Sequence, residues 1–191
     1  MNTLDAIAAR RSIRKFQDTS IQDETLQAIL TAATAAPSGK NRQPWRFVVV
    51  KGDKRAEMVR IMREGIANTK ARGEDPGSSE GSVNVMEQAP VTIFIFNPQG
   101  VRPWLPHSNG QMFDDVVDIQ SIGASIQNML LAAQDLGLGS LWICDVFYAY
   151  EELCTWLDEK GEMIAAVSLG YSNENPVARP RKPNREVVRM A

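Results

Sequence analysis

The sequence is poor in the residues that most often announce chemistry. It has two cysteines, Cys144 and Cys154, and no CxxC pair. That argues against a disulfide framework and against a zinc site. It has one histidine, His107, which excludes a multi-histidine metal centre. A Ser-His-Asp or Cys-His site would have to use that one residue. His107 sits in the loop-like stretch PWLPHSNG and reads as a surface residue. Long apolar runs are missing: VTIFIF at 91–96 is strand-sized, far below a membrane span. The N-terminal MNTLDAIAARR has no apolar core of the signal-peptide kind. A cytoplasmic protein without a membrane anchor is expected. No GxxxxGK[ST] occurs, and GLG at 137–139 falls between a helix and a strand. That is the wrong order for a dinucleotide-binding turn. The formal net charge is −2. Neither nucleic acid nor an anionic membrane would therefore be drawn to the surface as a whole, and the basic stretches lack interleaved aromatics.

What is present is an alternation of helix and strand signals over 191 residues. We expect one domain, 1–191, with no internal repeat. Helices are expected over 2–10, over 22–35 with Asp23 as cap, over 54–71, over about 114–136 and over 150–157. Strands are expected at 45–50, 91–96, 139–144 and 163–171. Residues 72–82, RGEDPGSSEGS, read as a mobile loop, and 97–113 as irregular. The helix over 114–136 is apolar on more than one side, as in a central or interface helix. The tail, 172–191, has too few core residues to fold alone and should lie as an extended arm. The pattern is that of a layered α/β or α+β fold.

Three polar segments stand out. ARRSIRKF at 9–16 puts four cations, Arg10, Arg11, Arg14 and Lys15, into eight residues. Arginine forks and the Ser12 hydroxyl match a phosphate, although a basic helix end would also complement the helix dipole. PSGKNRQPW at 37–45 offers Ser38, Asn41 and Gln43, a mixed donor and acceptor set on a short loop. Such a set suits a planar polar heterocycle, or is an ordinary connection. RPRKP at 179–183 is a second cationic knot held extended by prolines.

The order RRSIRKF, PSGKNRQPW before a strand, a long helix ending in AAQDLGLGSLWIC, then SLGY and RPRKP resembles the nitroreductase family of FMN-dependent oxidoreductases. The resemblance spans nearly the whole chain. It implies an α+β fold with a mainly antiparallel central sheet flanked by helices, in a homodimer with a swapped C-terminal arm. It also implies FMN in a cleft between subunits, NADH or NADPH as reductant, and a small-molecule electron acceptor.

By the same resemblance Arg10, Ser12 and Arg14 hold the FMN phosphate, ribityl chain and pyrimidine edge, with Arg11 between them. Pro37, Ser38, Gly39 and Asn41 approach the flavin from the other subunit, with Gln43 supporting their loop. Trp142, Ile143 and Cys144 pack on one flavin face, and Arg179 and Arg181 close on the phosphate. Cys144 and Asp145 stand where the family often has glycine. Cys144 is expected to be a small buried residue, and Cys154 to serve packing. The variable lid falls at 97–113, where Trp104 and Phe113 are candidates for substrate contact; Trp104 can equally fill a local core. No metal is implied. The chemistry would be the flavin's, with ping-pong kinetics. The alternative on the same fold is an FMN-binding or storage protein that nicotinamide does not reduce.

Overall fold

A computed structural model describes all residues from Met1 to Ala191. Helix α1 (Thr3–Ala9) is capped by Asn2, whose side chain accepts from the Asp5 N–H. Helix α2 (Asp23–Thr34) follows; Gln22 occupies its cap position, so Asp23 is its first residue and not its cap. A 3-10 turn at Gly39–Asn41 leads to strand β1 (Arg46–Lys51). Next come α3 (Lys54–Ala71), α4 (Ser79–Gln88) and β2 (Val91–Asn97). The long helix α5 (Asn109–Asp135) precedes β3 (Gly139–Ile143), a 3-10 turn at Asp145–Ala149 and α6 (Tyr150–Leu157). Strand β4 (Glu162–Gly170) and the short α7 (Asn184–Val187) complete the chain.

The four strands form one antiparallel sheet in the order β1-β2-β4-β3. Every residue of β2 is buried, because helices cover both faces of the sheet. Alternate side chains point to opposite faces. Phe94 and Phe96 meet Met58, Met62 and Ile66 of α3 and Leu153 of α6. Val91, Ile93 and Ile95 meet Ile29 of α2 and Ile122, Ile126 and Met129 of α5. Each such large side chain contributes about 1.5–3 kcal/mol through burial. No helix is long and apolar enough to cross a membrane.

Two expected boundaries move. The loop expected over 72–82 ends at Ser78, and α4 begins at Ser79. Val83, Val85 and Met86 bury an apolar face there, which outweighs the glycine and serines that favour a loop. The long helix starts at Asn109 and not near 114, because Ser108 and Gln111 form a reciprocal capping box. The irregular connector is therefore 98–108, and Phe113 lies on the helix. The second apolar side of α5, with Met112, Phe113, Val116 and Ile119, stays exposed.

Candidate functional site

The chain leaves α1 at Arg10 and runs beside β3. Ser12 bridges Ser140, and the Ile13 N–H donates to the Ser140 carbonyl at 3.0 Å. Ile13 turns into the core. Gly139 makes this approach possible, since a Cβ there would lie 2.8 Å from the Ile13 side chain. Further along, Gln17 and Asn173 donate to the carbonyls of Tyr171 and Lys15, each at 2.9 Å. The Glu174 carboxylate accepts from the backbone N–H groups of Arg14 and Lys15. These bonds bring the start of the tail back over the N-terminal strap.

The result is a cleft of about 420 Å³ whose polar lining is Arg10, Arg11, Ser12, Arg14, Arg179 and Arg181. No carboxylate lines it. Arg42, Arg46, Arg60, Arg63, Arg72 and Arg102 all form ion pairs, whereas the five cleft arginines form none. Arg11 spends its guanidinium on the Ala8 and Arg10 carbonyls, at 2.7 and 2.9 Å, closing the end of α1. Arg14 reaches the Ser12 carbonyl at 3.3 Å. Burial holds Arg10 below the ordinary guanidinium range, and the charges of Arg181 and Arg11 add to this. Several cations converging without a counter-charge are electrostatically incomplete; a phosphate dianion would complete them with forked hydrogen bonds.

Beyond the cleft, β3 ends in three expected contact residues. Trp142 is exposed and its ring passes near Gly123 of α5. Ile143 points into the core, so it can offer only backbone to a ligand. Cys144 is exposed, contrary to the expectation of a small buried residue. It is the last residue before the 3-10 turn, where the strand no longer covers it. Partial burial and then the Asp145 charge push its thiol up, against a hydrogen bond with Trp142, so the thiolate is disfavoured. Asp145 turns aside: its carboxylate accepts from the Ser78 and Ser82 hydroxyls at 3.0 and 2.5 Å, at the start of α4. Cys154 is buried and its thiol is pushed up to about 11 by that burial, as a packing residue should be.

The 37–43 segment lines a different place. Gly39 sits so close to Val117 of α5 that a Cβ would overlap it, and its N–H donates to the Ser121 hydroxyl at 3.2 Å. Ser38 accepts from the Gln43 N–H at 3.0 Å, and the Gln43 amide reaches Asn41 at 3.4 Å. Arg42 pins the turn to Asp118 at 2.8 Å and Asp114 at 3.1 Å. Lys40, Asn41 and Gln43 all have positive φ, near 50°. Such strain costs on the order of 1–3 kcal/mol per residue and collects at ligand-binding segments. None of Pro37, Ser38, Gly39, Asn41 and Gln43 lines the arginine cleft.

Trp104 and Phe113 are both exposed. Trp104 rests edge-on against Tyr150 with ring centroids 4.7 Å apart, and Phe113 projects from the uncovered side of α5. His107 is not the plain surface residue its loop suggested: its side chain is 14% exposed and 3.2 Å from the Asp115 carboxylate. Glu174 escaped the sequence reading, as did the contacts of Asp145 with its two serines and of His107 with Asp115. The partners of Glu174 and Asp145 are distant in the chain, whereas those of His107 are local but not aligned by any sequence pattern.

The model of the nitroreductase family matches residues 7–171. A Methanothermobacter thermautotrophicus protein, named as an NADH dehydrogenase/NAD(P)H nitroreductase, is 30% identical over 188 residues, 94% of this chain and 82% of its own length. The NADPH-flavin oxidoreductase of Vibrio harveyi is 28% identical over 191 residues, 98% of this chain and 72% of its own. The crystal structure of a Desulfovibrio desulfuricans protein in complex with FMN has a TM-score of 0.76 at 30% identity, covering 100% of this chain and 98% of that one.

Proposed function

Because the chain belongs to the nitroreductase family, we propose that it is an FMN-dependent oxidoreductase that uses NADH or NADPH to reduce a small-molecule acceptor such as a nitroaromatic or a quinone. The observation that carries this reading is the cleft of unpaired arginines. Its donor set fits the FMN phosphate, and its walls are the backbone and small apolar side chains of Ala8, Pro176, Val177 and Ala178. Bound FMN would supply the redox chemistry, accepting hydride from the nicotinamide and giving it to the acceptor at one position, with ping-pong kinetics.

The chain's own residues bind and orient. Arg10 and Arg181 hold the phosphate, with Arg179 closing over it, and Arg11 keeps α1 terminated so that Arg10 stays in place. Ser12 and Arg14 continue along the cofactor, Arg14 offering a cation to the flavin's pyrimidine edge. Trp142 and Cys144, with the backbone of Ile143, form a wall at the end of β3. The Asp145 carboxylate is kept on Ser78 and Ser82, which turns it aside from that wall while its charge still disfavours the Cys144 thiolate. No protein acid or base is needed for hydride transfer, and none lines the cleft.

The strained loop of Pro37, Ser38, Gly39, Asn41 and Gln43 serves the cleft of a second copy. Its separation from the chain's own cleft supports this, as does the exposed apolar surface of α1, α5 and the tail: Leu4, Ile7, Met112, Phe113, Val116, Ile119, Val187 and Val188. Met112, Phe113, Val116 and Ile119 share the uncovered side of α5, the kind of exposed apolar face that marks an interface. Trp104 and Phe113 are placed to meet an aromatic acceptor, one or both from the partner.

The test is a visible spectrum of the FMN-loaded protein under anaerobic conditions, before and after NADH and then NADPH. Bleaching of the flavin band by either donor is expected. A protein that retains FMN but is reduced by neither donor would be a flavin-binding protein without the proposed activity.

A further inference from the structure

Of the five buried polar side-chain atoms without a hydrogen-bond partner, three surround one junction: Asn97 Nδ2, Asp115 Oδ2 and Glu162 Oε2. Asn97 and Glu162 face each other across β2 and β4. Gly100 lies against both, its Cβ position 2.6 Å from Glu162 Oε2 and 2.7 Å from Asn97 Nδ2. The connector 98–108 leaves β2 here and runs to the start of α5. Its far end is held by His107, the chain's single histidine.

Both ring nitrogens of His107 face oxygen acceptors. Nδ1 lies 2.5 Å from the Leu105 carbonyl and Nε2 lies 3.4 Å from the Val101 carbonyl. Asp115 Oδ2 is 3.2 Å from Nε2 but not aligned for a hydrogen bond, so it acts as a counter-charge. A neutral imidazole has one N–H and one lone pair. One ring nitrogen would then meet a carbonyl lone pair to lone pair, whichever tautomer is present. The imidazolium donates at both positions.

We propose that residues 98–108 form a proton-dependent lid, latched by the His107 imidazolium between the Val101 and Leu105 carbonyls and Asp115 of α5, and released when the ring loses its second proton. The other charges around the latch are accounted for. Asp118, also on α5, is held by Arg42 together with Asp114. Arg102, midway along the lid, is paired with Glu151 of α6 at 2.5 Å and lies over the Tyr150 ring, a second anchor separate from the latch. Glu162 of β4 is pushed up to about 7, by burial first and then by Asp115, with His107 opposing. Once ionised, Glu162 favours the cation, as Asp115 does. Release uncovers the side of the Trp104–Tyr150 contact, next to the turn that follows β3.

The single histidine makes the test direct. In the full-length protein, the one imidazole Cε1–H resonance is followed between about pH 5 and 9, alongside amide hydrogen exchange of residues 98–108 corrected for the intrinsic pH dependence. Protection of the lid should fall about tenfold, the scale of a charge-assisted hydrogen bond, over the range in which the ring loses its charge. Asp115→Asn should move both changes together to lower pH. If that variant does not fold, the wild-type comparison still decides. Lid protection that stays flat, whether or not the ring titrates, overturns the proposal. So does a loss of protection with no change at the ring.

Discussion

Glu162→Gln should make the protein more stable on the alkaline side and leave it unchanged on the acid side. Glu162 is 4% exposed, and its Oε2 has no hydrogen-bond partner. Burial, with Asp115 and Asp118 adding to it and His107 opposing, raises its carboxyl from the ordinary 4.5 to about 7. Below the ordinary value both folded and unfolded chains hold the proton, and the site is silent. Between the two values the native chain keeps a proton that the unfolded chain has released, so stability falls as pH rises. Above about 7 the loss is complete. At about 1.4 kcal/mol per tenfold change in proton affinity, the full displacement corresponds to roughly 3 kcal/mol. Relaxation around the buried charge reduces this, and about 2 kcal/mol is the expected loss. Glutamine keeps the shape and one acceptor but cannot ionise. Urea unfolding at about pH 4, below the ordinary value, and at about pH 8 should therefore show the variant equal to wild type at the first and about 2 kcal/mol more stable at the second. A stability difference that is the same at both pH values would refute the reasoning.

Other substitutions probe the site and its scaffold. Arg10→Ala should weaken FMN binding by about 1.5–3 kcal/mol, the range for a hydrogen bond to a charged group, without lowering the unfolding midpoint of the apoprotein; fluorescence titration with FMN measures the first and urea the second. Gly139→Ala places a methyl 2.8 Å from Ile13 and should cost about 1–3 kcal/mol by overpacking, with loss of FMN affinity as the arginine strap shifts off β3. Ser108→Ala removes the hydroxyl that accepts from the Gln111 N–H and should cost about 1 kcal/mol of stability, read from urea unfolding, with FMN affinity unchanged.

Much of the scaffold was legible because it is local. The apolar spacing of Met58, Ile61 and Met62 marks α3, whose limits agree with the reading, as do those of α6. The unbroken VTIFIF run reflects a strand covered on both faces. α4 was hidden because Gly81 and its serines disfavour helix locally, and its stability comes from packing Val83 and Met86 onto α3. The start of α5 was readable in principle: Ser108 and Gln111 have capping-box spacing, but Gly110 between them suggested a break. At the site, the charge of Arg10, Arg11 and Arg14 stood out as a run of one sign. Its convergence with Arg181 depends on the pairing of residues 15–17 with 171–173, which no local pattern encodes. Likewise, nothing near Asp145 in the chain points to Ser78 and Ser82, and a histidine beside proline in a loop gives no hint of three converging acceptors.

The central claim is that the arginine cleft is a phosphate site for a flavin. The most direct measurement compares the affinities of the apoprotein for FMN and for riboflavin, which differ only in the phosphate. FMN should bind about a hundredfold more tightly, the contribution of one or two charge-assisted hydrogen bonds, and the preference should shrink as salt is raised. Equal affinities would mean that Arg10, Arg179 and Arg181 hold something other than the flavin phosphate, and would contradict the account at its base.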